Sequence, residues 1–164
     1  MIEEANALET FAEVSATIAG FAVLASVLGE DPESRARRYA RLRAIVSSNL
    51  LIVVVALLPV LFQHLAIAEE SMWKLCAGLG LLLTWVSSYH SVRLAVSSGV
   101  QMKQKVSYVG FAVMAISQIC LLAVGFGIFP DAAGFLYLFF LLGAFAPTAA
   151  IFIALLDELF MRPS

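Results

Sequence analysis

Polar breaks divide this chain into five long apolar runs, at residues 8–29, 45–66, 73–96, 107–129 and 134–156. A helix needs roughly 20 predominantly apolar residues to cross the hydrocarbon of a bilayer. Each run is that long, so the pattern predicts an all-α protein, a polytopic membrane helical bundle of five transmembrane helices in a single domain. The first run, Leu8 to Gly29, differs from the others in carrying two carboxylates, Glu9 and Glu13, one helical turn apart. The alternative is four spans, with this first helix lying along the interface as an amphipathic segment. The stretch from Val14 to Gly29 is apolar on every face, which suits a span better than a surface helix.

The breaks contain helix stops and starts. Gly29 closes the first helix, and Asp31 ahead of Pro32 caps the next. A basic turn-helix over 30–44 then leads into the second span, which Pro59 interrupts. A proline has no N–H for the carbonyl four residues back. In lipid, a neighbouring helix or a side chain has to supply the missing donor. AIAEES at 66–71 forms a turn, with Trp73 and Lys74 expected as interfacial anchors at the mouth of the third span. SSGVQMKQK makes a polar, basic connection, and Pro130 with Asp131 turns the chain into the fifth span. The leading MIEEANA has no Lys or Arg, so it reads as mature sequence ahead of a retained helix, without cleavage.

Composition agrees with this reading. Hydrophobic residues make up 62% of the 164 and charged ones 13%, with a mean hydropathy of +0.94. That is more apolar surface than one small soluble core can hide, so lipid is the expected solvent. The net charge of −2 says little, but its distribution says more. With five spans, Arg35, Arg37, Arg38, Arg41, Arg43, Arg93, Lys103, Lys105 and Arg162 share one side, and only Lys74 lies on the other. The positive-inside rule then puts the N-terminus outside and the C-terminus in the cytoplasm. The arginines from Arg35 to Arg43 also suit anionic lipid head groups. Membrane lipids are therefore expected partners, and nucleic acid is not.

An ionisable or polar group at membrane depth is a candidate for function. Glu9, Glu13 and Thr17 share one helix face; repeated about the axis of a homo-oligomer, that face would stack carboxylate rings that attract cations. Ala12, Ala16 and Gly20 form a small-residue ladder beside it, which lets another helix approach closely. In the third span Thr84, Ser87, Ser88 and Ser91 recur at helical spacing, followed by Tyr89, His90 and Arg93. Thr84 and Ser88, with Gln118 of the fourth span, are candidates for an ion path, and His90 beside Arg93 for a pH-sensitive gate. Ser117 and Gln118 stand at about the depth of Thr84, so a polar contact between spans three and four is expected there. The plainer reading of this stripe is helix packing, with hydroxyls bonded between helices or back to their own carbonyls.

His64 and His90 differ in depth by about 25 Å at 1.5 Å per residue, so they do not share a metal within one protomer. Cys76 and Cys120 fall inside apolar runs with neither disulfide nor zinc spacing. No metal and no cofactor are expected.

FAEVSATIAGFAVLASVLG, the basic RARRYARLR and the Leu57-Leu58-Pro59 of the second span together resemble small bacterial polytopic inner-membrane proteins, over roughly the first 65 residues. The resemblance implies a bacterial inner (plasma) membrane setting and supplies no activity. Neither nucleophile–base nor metal-protease spacing is present, which argues against an enzyme. The expectation is a homo-oligomeric ion channel or pore with an acidic outer mouth that attracts inorganic cations. The alternative is a non-conducting scaffold or accessory subunit that binds a partner helix through the small-residue face of the first helix.

Overall fold

The computed structural model describes residues 5–27, 32–65, 67–97 and 104–160, and every regular element among them is helical. The helices are α1 (Ala5–Val27), α2 (Pro32–Gln63), α3 (Glu69–Ser97), α4 (Gln104–Gly125) and α5 (Ala133–Phe160), with a short 3-10 turn at Pro130–Ala132 leading into α5. Among the described residues, three helices are long and apolar enough to cross a membrane, over Ala5–Leu24, Leu42–Gln63 and Pro130–Ile153; Ala112–Gly125 is a shorter apolar stretch. Between 28 and 33% of each of the three is buried inside the protomer. The rest of that apolar surface needs lipid or another chain to cover it.

From Pro32 onward the basic residues belong to α2, which starts where a missing N–H costs nothing and continues unbroken into the apolar run. The break at Gly29–Asp31, Lys103 and Arg162 lie outside the described residues, as do the side chains of Arg35, Arg37, Arg38, Arg41, His90, Ser91 and Lys105.

α2 and α5 form the centre. α2 packs against α1, α3 and α5, while α5 packs against α4, α2 and α1. The larger apolar cluster takes Leu8 and Ala12 from α1, Ile52, Val55 and Ala56 from α2, Cys76 and Ala77 from α3, Leu121 and Val124 from α4, and Tyr137, Phe140 and Leu141 from α5. At its middle is Gly80 of α3. A Cβ there would lie 3.3 Å from Leu121, 3.5 Å from Val55 and 3.8 Å from Phe140, so the missing side chain lets four helices meet at one level. A Cβ on Gly143 would sit 2.5 Å from Ser117 Cβ, which brings α5 and α4 together in the same way. Ala22 and Ile45 form a second, smaller cluster, bordered by Ile18, Leu42, Ile151 and Phe152.

Pro59 is buried, and the helix continues through it to Gln63. The carbonyl it deprives of a backbone donor is that of Val55. Tyr137 of α5 supplies the replacement, its hydroxyl donating to the Val55 oxygen at 2.8 Å. The ring is fully buried, with Trp73 at 5.5 Å and Phe140 at 6.0 Å between centroids. Trp73 is therefore not an interfacial anchor. It is 4% exposed and turned into the core against Tyr137, while Lys74 beside it is exposed.

The fourth helix stops at Gly125, short of the Phe129 that its apolar run suggests. Gly127 has φ +66, with its N–H on the Val124 carbonyl and the Ile128 N–H on the Ala123 carbonyl, each at 3.0 Å. This is a Schellman stop, in which a left-handed glycine closes the helix. Lys74 lies across it, 2.9 Å from where a Cβ on Gly127 would stand.

Tyr137→Phe leaves the Val55 carbonyl unpaired in the core and should cost about 1–3 kcal/mol of unfolding free energy, read by denaturant titration in micelles. In a Pro59→Ala background the Val55 oxygen regains a backbone donor, and the same change should cost clearly less. Equal costs in both backgrounds would show that the tyrosine does not answer the proline. Gly127→Ala places a Cβ in the left-handed region and should cost about 1–2 kcal/mol in the same titration.

Candidate functional site: the outward face of α1

α1 sorts its residues sharply by side. Leu8, Ala12, Ser15, Ala19 and Ala22 are buried, a three- and four-residue spacing that makes one continuous inner stripe. Four of these five are small, which suits the close packing of α1 on α2. Glu9, Glu13, Ala16, Thr17 and Gly20 are exposed on the opposite side. A Cβ on Gly20 would meet nothing within 4 Å.

Glu9, Glu13 and Thr17 thus share an open face, with Ala16 and Gly20 among them. Ala12 does not belong to that ladder, because it packs inward. A step of four residues drifts about 40° around a helix, so two steps carry Gly20 well away from Ala12. The Thr17 hydroxyl donates to the Glu13 carbonyl at 2.8 Å, and Thr10 does the same to Asn6. The carbonyls bear this bonding; the two carboxylates stay on the outside.

Both carboxylates lie within Ala5–Leu24, the part of α1 apolar enough to span a membrane. Glu13 is eight residues from Ala5, a rise of about 12 Å. A carboxylate facing hydrocarbon at depth is costly. Around Glu9 and Glu13 the face has chemistry suited to water, a cation or a neighbouring helix, while further along α1 Phe21 and Leu24 are exposed and suit acyl chains.

The other candidate ion-path residues stand elsewhere. Thr84 is buried; its hydroxyl donates within α3 to the Gly80 carbonyl at 2.7 Å, lies 3.0 Å from the Leu81 carbonyl, and accepts from Gln118 Nε2 of α4 at 3.1 Å. This is the polar contact between the third and fourth apolar runs that their depths suggest, and it joins two helices. Ser88 and Gln118 line a groove of about 340 Å³ with Trp85, Tyr89 and Met114. That groove lies between α3 and α4, whereas α1 packs on α2 and α5, so the structure does not bring these residues to Glu9 and Glu13. Arg93 and Arg43 are exposed. His64 is exposed at the end of α2, with Nδ1 2.9 Å from the Val60 carbonyl. Among the described residues no group of three or more His, Cys, Asp or Glu could hold a metal ion.

A second polar place lies between the start of α3 and the end of α4. Glu69, Glu70, Lys74, Gly127 and Asp131 border a cavity of about 260 Å³. Lys74 Nζ bonds Glu70 Oε1 at 2.6 Å, and this bond and charge hold the Glu70 carboxyl below its ordinary range. The lysine also sits by the α4 C-terminus, the negative end of that helix. Its pairing and its position make it a brace for the Gly127 stop.

Three further polar side chains, Ser15, Asn49 and Thr148, are buried and lie outside the candidate sites that the sequence suggests. The signal was present for the first: Ser15 falls on the Leu8–Ala12–Ala19–Ala22 stripe and so had to face inward. No family model matches the chain, nor does any curated protein or solved structure.

Proposed function

We propose that this protein is a homo-oligomeric ion channel of a bacterial inner membrane, with α1 of each copy facing a shared axis. The observation that carries the reading is the outward face of α1: Glu9, Glu13, Ala16, Thr17 and Gly20 all exposed on a helix apolar enough to span a membrane. Within one copy nothing covers Gly20. In a closed ring of several copies, head-to-tail contacts between different surface patches bury such a face against neighbouring copies. Small residues permit the close approach, and the carboxylates form rings at the outer mouth that raise the local cation concentration. Inorganic cations are the permeant species in this reading.

All five helices span the membrane in the proposed arrangement, with the N-terminus outside and the C-terminus cytoplasmic. The support is the charge distribution: one lysine on the outer side and the remaining basic residues on the other. The arginines from Arg35 to Arg43 fall in the inner part of α2 in this reading, a charge pattern suited to lipid head groups. Thr84, Ser88 and Gln118 take no part in the axial path, and the gating stimulus is not assigned to His90 or Arg93. The same face of α1 fits a partner helix in a non-conducting scaffold, and conductance separates the two readings.

Glu13→Gln should lower cation selectivity or unit conductance of the full chain reconstituted in planar bilayers. Unchanged currents would leave Glu13 as an interfacial anchor, and absence of any current from the wild-type protein would favour the scaffold. Gly20→Leu fills the open position and should shift the detergent-solubilised assembly toward monomer by size-exclusion light scattering. An assembly of unchanged mass would remove α1 from the interface between copies.

A further inference from the structure

The two apolar clusters of the core do not merge, and what separates them is polar. Ser15 lies between Ala12 of the larger cluster and Ile18 and Ala22 of the smaller. Asn49 lies between Ile52 of the larger and Ile45 of the smaller. Thr148 lies between Phe145, whose ring meets Phe11 edge-on at 6.5 Å, and Ile151 and Phe152 beside the smaller cluster. Each of α1, α2 and α5 therefore places one buried hydroxyl or amide at the junction of the clusters. Ser15 and Asn49 are fully buried and Thr148 is 4% exposed.

Two oxygens in this layer have no partner. Asn49 Nδ2 donates to the Ile45 carbonyl at 2.9 Å, which satisfies the amide nitrogen within its own helix. Asn49 Oδ1 and Ser15 Oγ are both buried without a hydrogen bond. An unmet buried acceptor is destabilising, and more so where no solvent can reach it.

We propose that this layer is a binding site for an ordered water molecule, held between α1, α2 and α5, that donates to Asn49 Oδ1 and bonds Ser15 Oγ. Water is the fitting ligand because it satisfies orphaned buried groups through two to four hydrogen bonds, and the layer offers donors and acceptors of that kind. A dehydrated cation fits poorly. No carboxylate belongs to the layer, and a buried charge needs a paired one. The water ties the helix that carries Glu9 and Glu13 to both central helices, and it sits on the side of α1 opposite the acidic face. The site stands on its own whether or not the protein conducts.

An experimental density map of the full wild-type chain, crystallised from a lipidic mesophase at a resolution that shows waters, tests the site directly. A peak within hydrogen-bond distance of both Ser15 Oγ and Asn49 Oδ1 is the expected result, and an empty gap overturns the proposal. Melting in detergent supplies the second reading. Removing one partner strands the water and the other oxygen, so Ser15→Ala and Asn49→Leu should each lower the midpoint, while the double variant should recover most of the loss. Single variants that each raise the midpoint, with additive effects, would show two oxygens that hold nothing. A wild-type midpoint that rises when sodium replaces choline at constant ionic strength, and loses that rise in Asn49→Leu, would assign the layer to a cation and overturn the assignment to water.

Discussion

A backbone carbonyl inside a membrane needs a donor from within the protein, and Pro59 takes one away from Val55 in the middle of the bundle. The hydroxyl of Tyr137 meets that need across the α2–α5 contact. Much of the core follows from where this tyrosine has to be. Its ring must be buried to reach Val55, and Trp73 is drawn inward to pack on one side of it while Phe140 packs on another. Phe140 and Val55 then border the same point as Leu121, and glycine at position 80 lets α3 approach them closely. One missing N–H thus bears on a tyrosine of α5 and on a tryptophan and a glycine of α3.

Polar groups in the apolar runs fall into two populations with different consequences. Inside the bundle, Thr84 and Gln118 bond each other, and Thr84 also returns a bond to its own helix. These contacts fix helices against one another, although Gln118 Oε1 stays buried without a partner. On the outside of α1, Glu9 and Glu13 are exposed beside small residues, on a surface that hydrocarbon serves badly. The distinction separates groups that complete the protomer from groups that leave it incomplete. The second kind calls for a surface that one chain does not supply, and a further copy of the same chain is the simplest candidate.

Much of the architecture could be read in the sequence because it depends on local pattern. Each apolar run corresponds to one helix, and the proline in the second signals a carbonyl in need of a donor. The donor itself could not be read, since Tyr137 is 82 residues away from Val55 and only tertiary packing joins them. Depth arithmetic was enough for the Thr84–Gln118 contact, because it requires only that two runs be antiparallel neighbours. The stop at Gly127 is hidden by Phe126, Ile128 and Phe129, which continue the apolar pattern across a turn that φ alone reveals. Trp73 misleads for a related reason: an aromatic at the mouth of a span suits the interface and the core equally, and its partner decides. On α1 the spacing grouped Glu9, Glu13 and Thr17 correctly on one face, but Ala12 separates from Ala16 and Gly20 because helical drift turns it toward α2.

The role given to α1 depends on its outward face being covered by other copies of the chain. The mass and symmetry of the full-length protein in mild detergent, by native mass spectrometry together with particle imaging, test that most directly. A closed ring of several copies with α1 nearest the axis is the result expected. A monomer, or a dimer in which α1 stays on the lipid-facing outside, would contradict it and return Glu9 and Glu13 to the membrane surface.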